Sequence, residues 1–174
     1  MDRMAELKGL SSQDPMKSSL DQASYNDEFR DLQIQLYQMS QQTFNGVSLF
    51  ARYATDANGQ PTSTETVFRG STAQDNTLTI FTSSDGSTGS RVSVHKSAYL
   101  SALTINTGAT DLSVSVWGAS DKYNATSNDS GKVFSFAATS LAATFTLDQI
   151  SVGVFAKALE NIASLRAQNG GTMS

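Results

Sequence analysis

Cysteine is absent from this chain of 174 residues, and histidine occurs once, as His95. The lack of cysteine excludes disulfide bonds, thiolate zinc sites and cysteine nucleophiles. A single histidine outside any His-Glu-x-x-His motif gives no basis for a zinc protease. No phosphate-binding glycine loop and no pair of nucleophile and base is visible either. The sequence therefore predicts no catalytic residue, no metal site and no cofactor, and we expect the protein not to be an enzyme.

Charge and long apolar stretches are also scarce. Charged residues make up 16% of the chain and the net charge is −4. This balance argues against a nucleic-acid partner, because phosphate binding needs clustered Lys and Arg. No run of about 18 apolar residues is present, so the sequence predicts no membrane span. No charged and then apolar leader opens the chain, so we expect no cleavable export signal here.

The first fifty residues have helical periodicity. Apolar residues recur every third position from Asp2 to Leu10, and Asp14 before Pro15 is typical of an N-cap followed by a first helical residue. A second helix is predicted from about Pro15 to about Gln42. Its apolar stripe has the spacing of a heptad seam and consists of Tyr25, Phe29, Leu32, Leu36 and Met39.

A second helical region closes the chain. Thr146 is a plausible N-cap with Gln149 as its capping-box partner. The apolar stripe that follows comprises Leu147, Ile150, Val154, Ala158, Ile162 and Leu165. Gly170 and Gly171 either end this helix or weaken it by about 1 kcal/mol each. Because neither long helix is stable with its apolar face in water, we expect the two ends of the chain to pack side by side.

In the middle of the chain, apolar residues occur at every second position in short runs that are separated by turn clusters. This pattern predicts a small antiparallel sandwich or barrel, with strands near 78–82, 92–94, 112–116, 133–136 and 143–145. Residues 97–105 fit a strand or a helix. The predicted fold class is α+β: an elongated antiparallel rod of about three helices plus a hairpin, carrying an inserted small antiparallel β domain. Residues 1–50 and 146–174 would form the rod, and 51–145 the outer domain.

Three segments of the chain resemble bacterial flagellin. They are Arg3-Met4-Ala5-Glu6-Leu7, Gln42-Thr43-Phe44-Asn45-Gly46-Val47 at the end of the long helix, and Ile162-Ala163-Ser164-Leu165-Arg166-Ala167. The resemblance covers about 1–50 and 146–174 and is to a core fragment that lacks the terminal coiled-coil segments. It implies a structural subunit that is secreted through the flagellar export apparatus and assembles itself into the filament outside the cell, for motility.

The resemblance also implies partners. These are other flagellin subunits, a flagellar export chaperone and cap, and a flagellin-sensing innate receptor of vertebrates. Polar residues of the second helix, among them Gln33 and Gln35, are candidate contacts with neighbouring subunits. We expect this fragment to be monomeric.

Two alternatives to a flagellin stay open. One is a hook–filament junction protein. The other is a carbohydrate- or surface-binding β module on a helical stalk, and exposed aromatics clustered on one β face would favour this module.

The innate-receptor surface would comprise Arg3, Glu6 and Leu7. These residues match a flagellin surface of that kind, although Ala5 stands where the motif commonly carries an arginine. The competing interpretation is an exposed helix end.

Two further groups of residues are predicted to be structural. Phe44, Asn45 and Gly46 would form the junction between rod and hairpin, where Phe44 fills the junction and Gly46 supplies a special backbone conformation. Trp117 is expected in core or edge packing rather than stacked against a sugar.

Overall fold

A computed structural model describes residues 1–13, 18–52, 77–107, 112–114, 117 and 133–172. The helices are α1 (Asp2–Gln13), α2 (Ser19–Ser40), α3 (Tyr99–Ala102) and α4 (Val152–Thr172). The strands are β1 (Thr43–Phe44), β2 (Val47–Ser48), β3 (Thr77–Phe81), β4 (Arg91–His95), β5 (Thr104–Asn106), β6 (Ser113–Val114) and β7 (Val133–Ser135). Helices mixed with small antiparallel sheets confirm the α+β class.

The strands that the structure describes form three small antiparallel sheets, with the orders β1-β2, β3-β4 and β6-β5-β7. They do not assemble into the predicted sandwich or barrel. The predicted strand at 143–145 is wrong, because Leu141–Ala143 is a 3-10 turn. The segment 97–105, left open between strand and helix, contains both, since α3 runs directly into β5.

The long N-terminal helix begins later than predicted. Asp14 and Pro15 lie outside the described residues, but α2 starts at Ser19 rather than near Pro15. Ser18 has extended backbone and its hydroxyl accepts a hydrogen bond from the Asp21 backbone N–H at 3.3 Å. A serine in this position satisfies one of the unpaired N–H groups of the first turn.

The predicted capping box is present, but it caps a short turn. The Thr146 backbone N–H donates to Gln149 Oε1 at 2.9 Å, and Leu147–Gln149 is a 3-10 turn. The backbone is then extended at Ile150, and α4 begins at Val152. Helix α4 continues through Gly170 and Gly171 to Thr172, so the two glycines do not stop it.

One hydrophobic core joins the ends of the chain to its middle. Met4, Leu7 and Val154 are buried in the same cluster as Leu103 and Ile105. Because these residues touch one continuous apolar interior, the described core crosses the predicted boundary between 1–50 with 146–174 and the segment 51–145.

Aromatic rings form the centre of this core. The ring centroid of Phe145 is 5.5 Å from that of Phe29, 5.4 Å from that of Phe134 and 5.6 Å from that of Phe136, all edge to face. Phe155 lies 5.9 Å from Phe29 and 5.0 Å from Phe136. Such tilted pairs are favoured by the ring quadrupole in addition to the area that they bury.

The two long helices, α2 and α4, contact each other directly and also through α3. Phe29 of α2 and Phe155 of α4 make their direct aromatic contact, while both helices also pack on α3. The predicted continuous seam is therefore wrong at its far end: Met39 is 52% exposed. The remaining stripe residues are buried or half-buried and belong to the core or pack on it: Tyr25, Phe29, Leu32, Leu36, Ile150, Val154, Ile162 and Leu165.

Candidate functional site

The turn before α4 is held by polar side chains of both N-terminal helices. Lys8 of α1 donates through Nζ to the Leu147 carbonyl at 2.7 Å, and the Leu147 backbone N–H donates to Asn26 Oδ1 of α2 at 2.9 Å. Both backbone groups of a buried residue thus have partners from the other end of the chain. These bonds fix where α4 begins relative to the first two helices.

Gln33 of α2 also binds both backbone groups of a residue before α4, and it does so inside the core. Its Nε2 donates to the Phe145 carbonyl at 2.8 Å, and the Phe145 N–H donates to Gln33 Oε1 at 3.3 Å. The Gln33 carbonyl also accepts from the Ala138 N–H at 3.1 Å. Gln33 is fully buried, so its prediction as a contact with a neighbouring subunit is wrong. An amide suits this position because it supplies a donor and an acceptor to one peptide group.

Arg3 links α1 to α2 on the surface. Its guanidinium donates to both carboxylate oxygens of Glu28, at 2.6 Å and 2.9 Å, and to Glu6 Oε2 at 3.0 Å. These hydrogen bonds lower the pKa of the Glu28 carboxyl and raise that of the Arg3 guanidinium further above its ordinary value. The geometry is bidentate, which orients the arginine, although such exposed pairs contribute little to stability.

Only two of the three residues predicted to form the innate-receptor surface are exposed to solvent. Arg3 and Glu6 are exposed, but Leu7 is fully buried in the core. A buried leucine offers no contact to a partner, so its assignment to that surface is wrong. What remains there is a charged patch of Arg3, Glu6 and Glu28, in which the arginine is already engaged by both acids.

The hairpin β1–β2 turns at the Asn-Gly pair, as the sequence predicts. Asn45 has φ 50° and Gly46 has φ 78°, the left-handed values that favour this pair in a two-residue turn. The predicted role of Phe44 is wrong, because its side chain is 75% exposed and fills no junction. It projects from the hairpin instead.

Phe44 lines an apolar groove open to solvent, of about 220 Å³. The groove lies between the β1–β2 hairpin and the β3–β4 hairpin, next to the C-terminal end of α4. Hydrogen bonds hold the surrounding elements together, from Lys96 Nζ to Ser48 Oγ at 2.8 Å and from Ser97 Oγ to Asn169 Oδ1 at 2.8 Å. Its apolar lining consists of Phe44, Val47, Leu49, Leu78 and Val94, with His95 and Lys96 also present.

Trp117 lies in the interior, in agreement with the packing expected from the sequence. It is 3% exposed, its ring stacks on that of Tyr37 with centroids 5.6 Å apart, and its Nε1 donates to the Ala137 carbonyl at 3.4 Å. This position leaves no ring face for a sugar.

Sequence reasoning missed the structural amides. Gln33 and Asn161 are buried, and Asn161 Nδ2 donates to the Ala102 carbonyl at 3.0 Å. A signal for Gln33 existed, since it follows Phe29 by four residues and therefore lies on the same helix face. The partner of each amide is a backbone group far along the chain, which periodicity does not reveal.

No known protein family matches this chain, and no curated protein or solved structure matches it. None of the helices in the described part of the chain is long and apolar enough to cross a bilayer. Over the same residues, no cluster of three or more His, Asp and Glu side chains is arranged to hold a metal ion.

Proposed function

We propose that this protein is a flagellin-like structural subunit that is secreted and assembles, in an elongated rod arrangement, into the bacterial flagellar filament. The sequence resemblance at 1–50 and 146–174 motivates the proposal. The structural support is that polar contacts of Leu147 and the ring contact of Phe29 with Phe155 join exactly these two regions. The export chaperone, the cap and an innate receptor remain proposed partners by the same resemblance.

The observation that carries the proposal is the apolar groove at the hairpin. Phe44, Val47, Leu49 and Leu78 are exposed apolar residues that line this groove, and we infer that a neighbouring copy of this chain fills it. At the opposite end of α2, Leu20 is 77% exposed and Asp21 follows it. An apolar side chain beside a carboxylate complements a groove lined by apolar residues and by Lys96 and His95.

The position of these two surfaces predicts how copies would join. Helix α2 has 22 residues and is about 33 Å long at 1.5 Å per residue. The groove lies near its C-terminal end and Leu20 lies at its N-terminal end. A contact between opposite ends is heterologous, and heterologous contacts that do not close give open filaments. Without further contacts we expect the chain to be monomeric at micromolar concentration.

Electron microscopy of the full-length protein tests this function. We expect long filaments from the unchanged protein. Phe44→Ser removes an exposed ring from the groove without touching the core, so it should abolish or strongly shorten filaments while leaving the thermal midpoint nearly unchanged. Leu20→Ser should have the same effect from the other side of the contact.

Leu141→Ser is the matched control, because Leu141 is also an exposed apolar residue but does not line the groove. Its filaments should equal those of the unchanged protein. Absence of filaments from the full-length protein would refute the proposed function. Normal filaments from both Phe44→Ser and Leu20→Ser would refute the assignment of the contact.

A further inference from the structure

Within the described residues, one edge of β3 in the β3–β4 hairpin is not covered by another strand. Among the described strands, β3 pairs with β4 alone, and its residues Thr77-Leu78-Thr79-Ile80-Phe81 carry no charge and include no proline. Strand edges of this composition, rich in β-branched and aromatic residues, are competent to pair with another strand. Strand β4 differs, because it carries the basic residues Arg91 and His95.

The backbone groups on the β3 edge can be assigned from the hairpin register. Thr82 donates its backbone N–H to the Ser90 carbonyl at 2.9 Å, and Phe81 is opposite Arg91. Hydrogen-bonded and non-hydrogen-bonded pairs alternate along an antiparallel ladder. The N–H and C=O groups of Thr77, Thr79 and Phe81 therefore point away from β4, towards that edge.

We propose that β3 pairs in antiparallel fashion with β3 of a second copy of this chain, in a register centred on Thr79. The result is a continuous four-stranded sheet with the two β4 strands outside. Thr79 then faces Thr79 of the second copy, and Thr77 faces Phe81. In this register every outward N–H of one strand meets an outward carbonyl of the other, so no edge group is left unpaired.

The side chains favour this partner over a different edge. Leu78 faces Ile80 of the second copy at non-hydrogen-bonded pairs, where side chains approach most closely. Both residues are partly exposed in the single chain and gain apolar contact. The basic residues Arg91 and His95 stay on the outer strands. Pairing of two β4 strands would instead place Arg91 opposite His95, which brings basic groups together.

The proposed contact is small. A pairing through five residues buries less than the roughly 1,200 Å² that specific stable interfaces need. It should therefore form at high protein concentration, or where a larger assembly already holds two copies close together. The pairing does not depend on the proposed flagellar function, since it can be measured on this chain alone.

Single-cysteine crosslinking tests the register, because the natural chain contains no cysteine. In the proposed sheet the two Thr79 Cα atoms are about 5.5 Å apart, within the range that a disulfide spans. Thr79→Cys should oxidise to a disulfide dimer at a rate that rises with concentration. Ser93→Cys is the matched control, since Ser93 lies directly opposite Thr79 on the same face of the hairpin but on the β4 edge.

We expect the Thr79→Cys dimer to form on the order of tenfold faster than the Ser93→Cys dimer, as only the first pair is held in disulfide geometry. Equal rates, or a faster reaction of Ser93→Cys, would overturn the proposal.

A second variant separates edge pairing from sulfur chemistry. Thr79→Pro removes an outward N–H and leaves the bonds to β4 in place, as prolines on exposed edges do. Sedimentation equilibrium at high concentration should show dimers for the unchanged chain and for Ser93→Pro, and monomers for Thr79→Pro. Identical behaviour of all three chains would also overturn the proposal.

Discussion

At the scale of single residues, buried amides specify how the segments of this chain meet. Gln33 bonds to both backbone groups of Phe145, and Asn161 bonds to the carbonyl of Ala102. Apolar side chains supply most of the driving force for burial, but they are not directional. A hydrogen bond between a buried amide and one peptide group is directional, and it therefore selects one docking of the loop on the helix.

Gln33→Ala should destabilise the fold by on the order of 3 kcal/mol, because it leaves the buried N–H and C=O of Phe145 without partners. Chemical denaturation followed by the fluorescence of Trp117, the only tryptophan, measures the free energy of unfolding. Gln35→Ala is the control: Gln35 is exposed on the same helix, and its loss should change stability by less than about 0.5 kcal/mol. Equal effects of the two substitutions would show that the Gln33 bonds contribute nothing.

The error at Met39 has a geometric cause. The predicted stripe spans a wide arc of α2, because a step of three residues turns about 60° one way round a straight helix and a step of four turns about 40° the other way. At 100° per residue Met39 is about 80° round the helix from Phe29, while Ser40 is about 20° from it. The structure buries Ser40 and exposes Met39 accordingly. The sequence identified the helix and the first half of its buried face correctly.

At the scale of elements, local patterns predicted the helices and hairpins but not the pairing of sheets. Alternation located β3 and β4, and the Asn-Gly pair located the β1–β2 turn. The β6-β5-β7 order depends on contacts between residues far apart in sequence, for example Ile105 with Phe134. Periodicity contains no information about such partners, which explains why a sandwich or barrel was predicted whereas the described strands form three small sheets.

Two glycines of different elements should respond in opposite ways to alanine. Gly9 lies within α1, and a Cβ built there meets nothing within 4 Å, so Gly9→Ala should stabilise the protein by about 0.4–1 kcal/mol. Gly46 has φ 78°, so Gly46→Ala should destabilise it by about 1–2 kcal/mol. Thermal unfolding followed by circular dichroism measures both. A stabilising Gly46→Ala would contradict the assigned turn.

At the scale of the whole molecule, the two ends of the chain pack against each other, an arrangement that we call the closure, and the middle contributes to the same core. The closure was predicted from two apolar helix faces that need partners. The participation of Phe134, Phe136 and Phe145 was not predicted, because the middle was interpreted as a separate outer domain. The filament proposal depends on the closure, since it positions the exposed groove and Leu20 at opposite ends of α2.

The most direct test is a nuclear Overhauser measurement between the ring protons of Phe29 and Phe155 in selectively labelled protein. Their ring centroids lie 5.9 Å apart, so we expect a clear cross-peak, and Phe145 should give one to Phe29 as well. The absence of both cross-peaks in folded protein would show that α2 and α4 do not meet. The shared core, and with it the structural support for a filament subunit, would then be wrong.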